Sequence, residues 1–75
     1  NVIGDKIRNY REKEKLSLSQ MTDKLMLMWI DIPKSSLQNI EKGKRVVKEY
    51  EFYALCKFFN VTMEEMLKDF IKELK

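Results

Sequence analysis

The sequence predicts an all-α fold, a compact bundle of five short helices around one core, and three observations carry that expectation. Apolar residues recur at steps of three and four in five separate segments. Strand signals are nearly absent, Val46-Val47 being too short to count. Helix punctuation falls between the segments, at Ser17, Pro33, Gly43, Asn60 and Thr62. With 75 residues the chain has room for a single domain, residues 1–75, with a small core and no linker.

In the first helix Ile3, Ile7 and Tyr10 share one face, and the pattern fades near Glu14. Ser17 is an N-cap candidate for the second, whose apolar face is Leu18, Met21, Leu25 and Met28. Pro33 disfavours helix at Ile32 and suits the first turn of a third helix. That helix is short, with Leu37 and Ile40 facing inward and Gly43 as its C-cap candidate. A basic loop from Gly43 to Lys48 leads to the fourth, where Phe52, Leu55, Cys56 and Phe59 form the inner face. Asn60 can end it in a left-handed conformation. Thr62-Met63-Glu64-Glu65 fits a capping box for the last helix, about 62–74, whose stripe runs through Met63, Met66, Leu67, Phe70, Ile71 and Leu74.

Composition excludes much. One cysteine and no histidine leave no internal disulfide, no ordinary zinc site and no Ser-His or Cys-His nucleophile pair. Two glycines, Gly4 and Gly43, cannot build a phosphate-cradling loop. An enzyme would have to work with carboxylates such as Glu64 and Glu65, which read as a capping turn. The expectation is no enzyme, no metal and no cofactor. No segment suits a bilayer, and a lone thiol fits a reduced, cytoplasmic setting. Cys56 reads as a small buried apolar side chain, since a redox-sensing thiol needs exposure and basic neighbours. Net charge is +3, but Lys34, Lys42, Lys44, Arg45 and Lys48 face a single acid, Glu41, within residues 34–48. Residues 49–75 carry more acids than lysines. The central surplus has the pattern of a footprint for an anionic partner.

Glu41-Lys42-Gly43-Lys44-Arg45, with a short polar helix before it and an apolar one after it, resembles the Cro/phage-repressor type (Xre-like) helix-turn-helix family. Ile7-Arg8 and Arg11-Glu12 resemble that family's first helix, and Leu16-Ser17 with Met21-Thr22-Asp23-Lys24-Leu25 its second. Ile32 to Glu41 resembles the recognition helix with its entry, and Asn60-Val61-Thr62 with Leu67 the domain's end. Leu18 departs from the pattern, standing where many relatives carry a glutamine that touches a phosphate. The connection is also longer, with Leu27-Met28-Trp29-Ile30-Asp31 as the surplus. That longer link between helices two and three, with Glu49-Tyr50-Glu51, resembles a subgroup of bacterial regulators.

The resemblance implies a lambda-repressor-like fold with its helix-turn-helix at about 17–42, binding double-stranded DNA as a transcriptional regulator of bacterial, phage or plasmid type. Base edges would meet Lys34, Ser35, Ser36, Gln38 and Asn39, residue types that pair with guanine and adenine. Phosphates would meet Lys42, Lys44, Arg45 and Lys48, with Ser17 and Ser19 framing the amides that open helix two. The bland alternative is that the serines cap and the amides solvate. Arg11 and Glu41 resemble the family's internal ion pair. Phe70, Ile71 and Leu74 extend past the usual boundary and suit a homodimer reading two half-sites, or packing on helix one or against a further domain. For Trp29 the sequence favours packing, as a plug where helix two leaves the core. The rival class is a protein-interaction module, such as an antitoxin or regulator subunit, binding through helix five and the Trp29 region.

Overall fold

Helices α1 (Val2–Lys13), α2 (Leu18–Leu27), α3 (Lys34–Glu41), α4 (Glu49–Phe59) and α5 (Met63–Leu74) follow one another in a computed structural model. It describes the backbone of residues 2–74 and the side chains of residues 3–68. Phe70, Ile71 and Leu74, the expected dimer contacts, therefore have side chains outside the described residues. The described residues contain no strand.

Helices α2 and α5 begin where a side-chain acceptor closes them. At α2 the Gln20 N–H donates to Ser17 Oγ (3.1 Å) while Ser17 N–H donates to Gln20 Oε1 (2.8 Å), a reciprocal capping box. At α5 the Glu65 N–H donates to Thr62 Oγ1 at 3.0 Å. Helix α3 starts after Pro33, which sits extended at φ −60° and offers no side-chain cap.

Helices α1 to α4 all end in the same way. Lys15, Trp29, Gly43 and Asn60 adopt left-handed φ of 56°, 64°, 77° and 57°. After each, the next amide reaches back to a carbonyl five residues earlier: Leu16 to Arg11, Ile30 to Leu25, Lys44 to Asn39, Val61 to Cys56. This is the Schellman closure, which satisfies the orphan carbonyls of the last turn. Leu16, Ile30 and Val61 then pack against the core, so the reversal also drives an apolar side chain inward.

Ile7, Met21, Leu25, Leu37, Leu55 and Met66 are fully buried, so every helix gives the core at least one side chain. Ile32 adds one from the α2–α3 connection, and Ile40, Cys56 and Phe59 complete the cluster. Tyr10 stacks on Phe59 at 5.3 Å between ring centroids, fastening α1 to α4. Helix α3 packs against both α1 and α2, and α5 against α1 and α4. In a denaturant titration, truncating Leu25 or Leu37 to alanine should cost about 2–5 kcal/mol.

Three sequence expectations fail here, the first being Met63, which opens the expected α5 stripe but lies exposed at the first turn of the helix. Met28 is the C-cap of α2 and lies exposed, instead of closing its inner face. Trp29 does not plug the core: its side chain is 95% exposed. The left-handed turn at Trp29 is the physical reason, because it reverses the chain and sends Ile30 inward in its place.

Candidate nucleic-acid interface

Helix α3 is amphipathic over its two turns. Leu37, Ile40 and Glu41 are buried, whereas Lys34, Ser35, Gln38 and Asn39 are exposed and Ser36 is half-buried. Four-residue spacing sets Lys34, Gln38 and Lys42 in one row, with Ser35 and Asn39 in the next. The polar side chains thus form one continuous outer face, mounted on a side that the core holds.

Glu41 fixes the far end of that face. Although 3% exposed, its carboxylate accepts from Arg11 Nε at 2.7 Å and Arg11 Nη2 at 2.9 Å, with Arg8 Nε at 3.4 Å. Arg11 Nη1 also donates to the Leu16 carbonyl at 2.8 Å, so one guanidinium links α1, the α1–α2 turn and α3. Hydrogen bonding to Glu41 raises the Arg11 pKa above its ordinary value.

The loop after α3 is fixed at its other end by a second buried carboxylate. Glu51 accepts from Arg45 Nη1 (2.9 Å) and Nη2 (2.8 Å), and from the Lys48 N–H (3.0 Å). The last bond caps α4 from its third residue. Arg45 holds the Glu51 carboxyl below the ordinary carboxylate value, outweighing the opposing push of burial.

Lys42, Lys44 and Lys48 lie exposed along the loop between these two anchors, and so do Ser17 and Ser19 at the start of α2. Arg45 differs from its basic neighbours, being turned to Glu51. Sequence reasoning missed Glu51 and Arg8. A carboxylate three residues into α4 is a capping signal, but Lys48 stands where the pattern wants Ser or Thr. Cys56 is buried, and burial pushes its thiol pKa up, which suits an inert packing role. Among the described residues no three His, Cys, Asp or Glu side chains gather to hold a metal ion. No helix among the described residues is long and apolar enough to cross a membrane.

A family model described as a helix-turn-helix domain matches residues 4–71. The chain belongs to the helix-turn-helix domain family. No curated protein and no solved structure matches it. This helix-turn-helix domain has three arginines, Arg8, Arg11 and Arg45, and each meets one of two buried glutamates. Every other cationic side chain in it is a lysine.

Proposed function

We propose that this chain binds double-stranded DNA sequence-specifically, as a homodimeric transcriptional regulator of bacterial, phage or plasmid type, cytoplasmic and not enzymatic. Within that reading it is an Xre-like domain with a long α2–α3 connection, its helix-turn-helix pair being α2 and α3. The observation that carries the reading is the outer face of α3: Lys34, Ser35, Gln38 and Asn39 exposed side by side, backed by buried Leu37, Ile40 and Glu41.

Such a face enters a major groove, where lysine donates to guanine O6 and N7 and Asn or Gln pairs with adenine. Ser36, half-buried, meets the edge of the same contact. Lys42, Lys44 and Lys48 neutralise phosphates beside it, and the α2 amides near Ser17 and Ser19 add an anion contact at a helix N-terminus. Two copies joined through Phe70, Ile71 and Leu74 of α5 would read two half-sites.

Selection of bound sites from random duplex DNA, with footprint length recorded, tests the reading. Asn39→Ala should then change the preferred base at one position of each half-site, at a cost of about 1–3 kcal/mol there. No enrichment by the parent would defeat the proposal. Sedimentation of Phe70→Asp with Leu74→Asp should show a dimer become monomer, and a parent already monomeric at high concentration would defeat the dimer.

A second reading has its own observation. Leu27 and Trp29 are 83% and 95% exposed, next to exposed Met26 and Met28, an apolar run that folding leaves uncovered. A protein partner seated there would make the chain an interaction module such as an antitoxin or regulator subunit. Salt separates the two, since phosphate-led binding weakens steeply with it and an apolar interface does not.

A further inference from the structure

We propose that Arg45 is a positioning residue instead of a phosphate ligand: through Glu51 it braces the loop that presents Lys42, Lys44 and Lys48. The inference rests on the DNA-binding reading and assigns the basic residues of that one surface to different tasks.

The loop between α3 and α4 would be a poor presenter if it were loose, since ordering it at each encounter costs conformational entropy. Two independent anchors hold it instead. At its start the Lys44 N–H returns to the Asn39 carbonyl at 2.8 Å, with Gly43 in the left-handed position that permits the turn. At its end Glu51 gathers three donors, two from Arg45 and one from the Lys48 amide, all between 2.8 and 3.0 Å.

The Glu51 contact spans three points of the chain: the middle of the loop, the residue before α4 and the first turn of α4. Glu51 is 2% exposed, so the carboxylate that Arg45 grips lies within the frame, while the Arg45 side chain itself is only partly covered. Both terminal nitrogens of the Arg45 fork are engaged by one carboxylate. A phosphate would have to displace Glu51 to obtain the same bidentate geometry, leaving a buried carboxylate without its partner. Lys42, Lys44 and Lys48 make no ion pair within 4 Å among the described residues, and an ammonium needs no fork geometry to serve a phosphate.

The test uses the full chain and a mixed-sequence DNA duplex, titrated at several salt concentrations, with circular dichroism confirming the fold of each variant. Arg45→Lys keeps the charge and loses the fork. It should bind several-fold more weakly than the parent, with the same salt slope. Glu51→Gln removes an acid from a DNA-binding surface and should nevertheless weaken binding. Lys44→Gln should lower the slope by about 0.9, the value of one phosphate contact. Amide exchange over residues 43–48 should quicken in Arg45→Lys without any DNA present.

Equal binding by Arg45→Lys and the parent would overturn the proposal, and so would tighter binding with a steeper slope for Glu51→Gln. Weakened binding with unchanged amide exchange would overturn the brace as its cause. If Glu51→Gln loses its fold, Arg45→Lys decides. A parent that binds no duplex defeats the DNA-binding reading itself, which is a different result from a parent that binds and an Arg45→Lys variant that matches it.

Discussion

The connection before α3 and the connection after it close their helices with the same backbone turn, yet they expose opposite chemistry. Before α3, Trp29 takes the left-handed position, which costs a side-chain-bearing residue about 1–2 kcal/mol, and the segment displays Leu27, Met28 and Trp29. After α3, Gly43 takes that position at no steric cost, and the segment displays Lys42, Lys44 and Lys48. The first connection is held by its own backbone bonds and by Ile30 and Ile32 on the core. The second has no comparable apolar anchor beyond half-buried Val47 and depends on two carboxylates, Glu41 and Glu51. The difference teaches that a turn geometry specifies how a helix stops and leaves open what the next segment offers to solvent.

The largest expected effect comes from breaking the carboxylate anchor at α3. Arg11→Ala removes the two shortest arginine contacts of buried Glu41, at 2.7 and 2.9 Å, and should cost about 3–5 kcal/mol in thermal or denaturant unfolding. A loss below about 1 kcal/mol, the scale of a surface pair, would show that the anchor is ornamental. Next comes the glycine: Gly43→Ala forces a Cβ into the left-handed position and should cost about 1–2 kcal/mol in the same assay. Trp29→Gly runs the comparison in reverse. It should stabilise by roughly 0.5 kcal/mol, relief of the left-handed penalty being partly offset by the added freedom of the unfolded chain. Destabilisation would mean that the indole has a partner within the fold.

The smallest effect is the response to acid. The folded Glu51 carboxyl titrates below its ordinary value, so its contribution is present above that unfolded value and is lost as pH falls through the lower folded one. Melting curves followed down through the carboxylate range should therefore show a shallower acid loss for Glu51→Gln than for the parent. Parallel profiles would remove Glu51 from the acid response.

Much of this was legible in the residues. The buried faces of α1, α3 and α4 follow three- and four-residue spacing, and Ser17 and Thr62 announce the starts of α2 and α5. Gly43 and Asn60 announce left-handed ends because their side chains tolerate that region. Lys15 and Trp29 do not, so two of the four identical closures leave no mark in the sequence, and a large apolar residue at the exit of α2 reads as a core plug. The outer face of α3 could be read from polarity. The tasks of the basic residues could not, because a sum of charges counts a guanidinium and an ammonium alike. Only geometry distinguishes Arg45, forked onto a carboxylate, from Lys44 beside it.

That division between arginine and lysine has a chemical consequence. The three guanidinium groups meet the two buried carboxylates, and every remaining cationic side chain is a primary amine. A reagent that acylates amines would cancel the outward charge one lysine at a time without unmaking a single Arg–Glu contact. The molecule could then be stripped of its attraction for anions while keeping its shape, so its surface charge and its architecture can be adjusted separately.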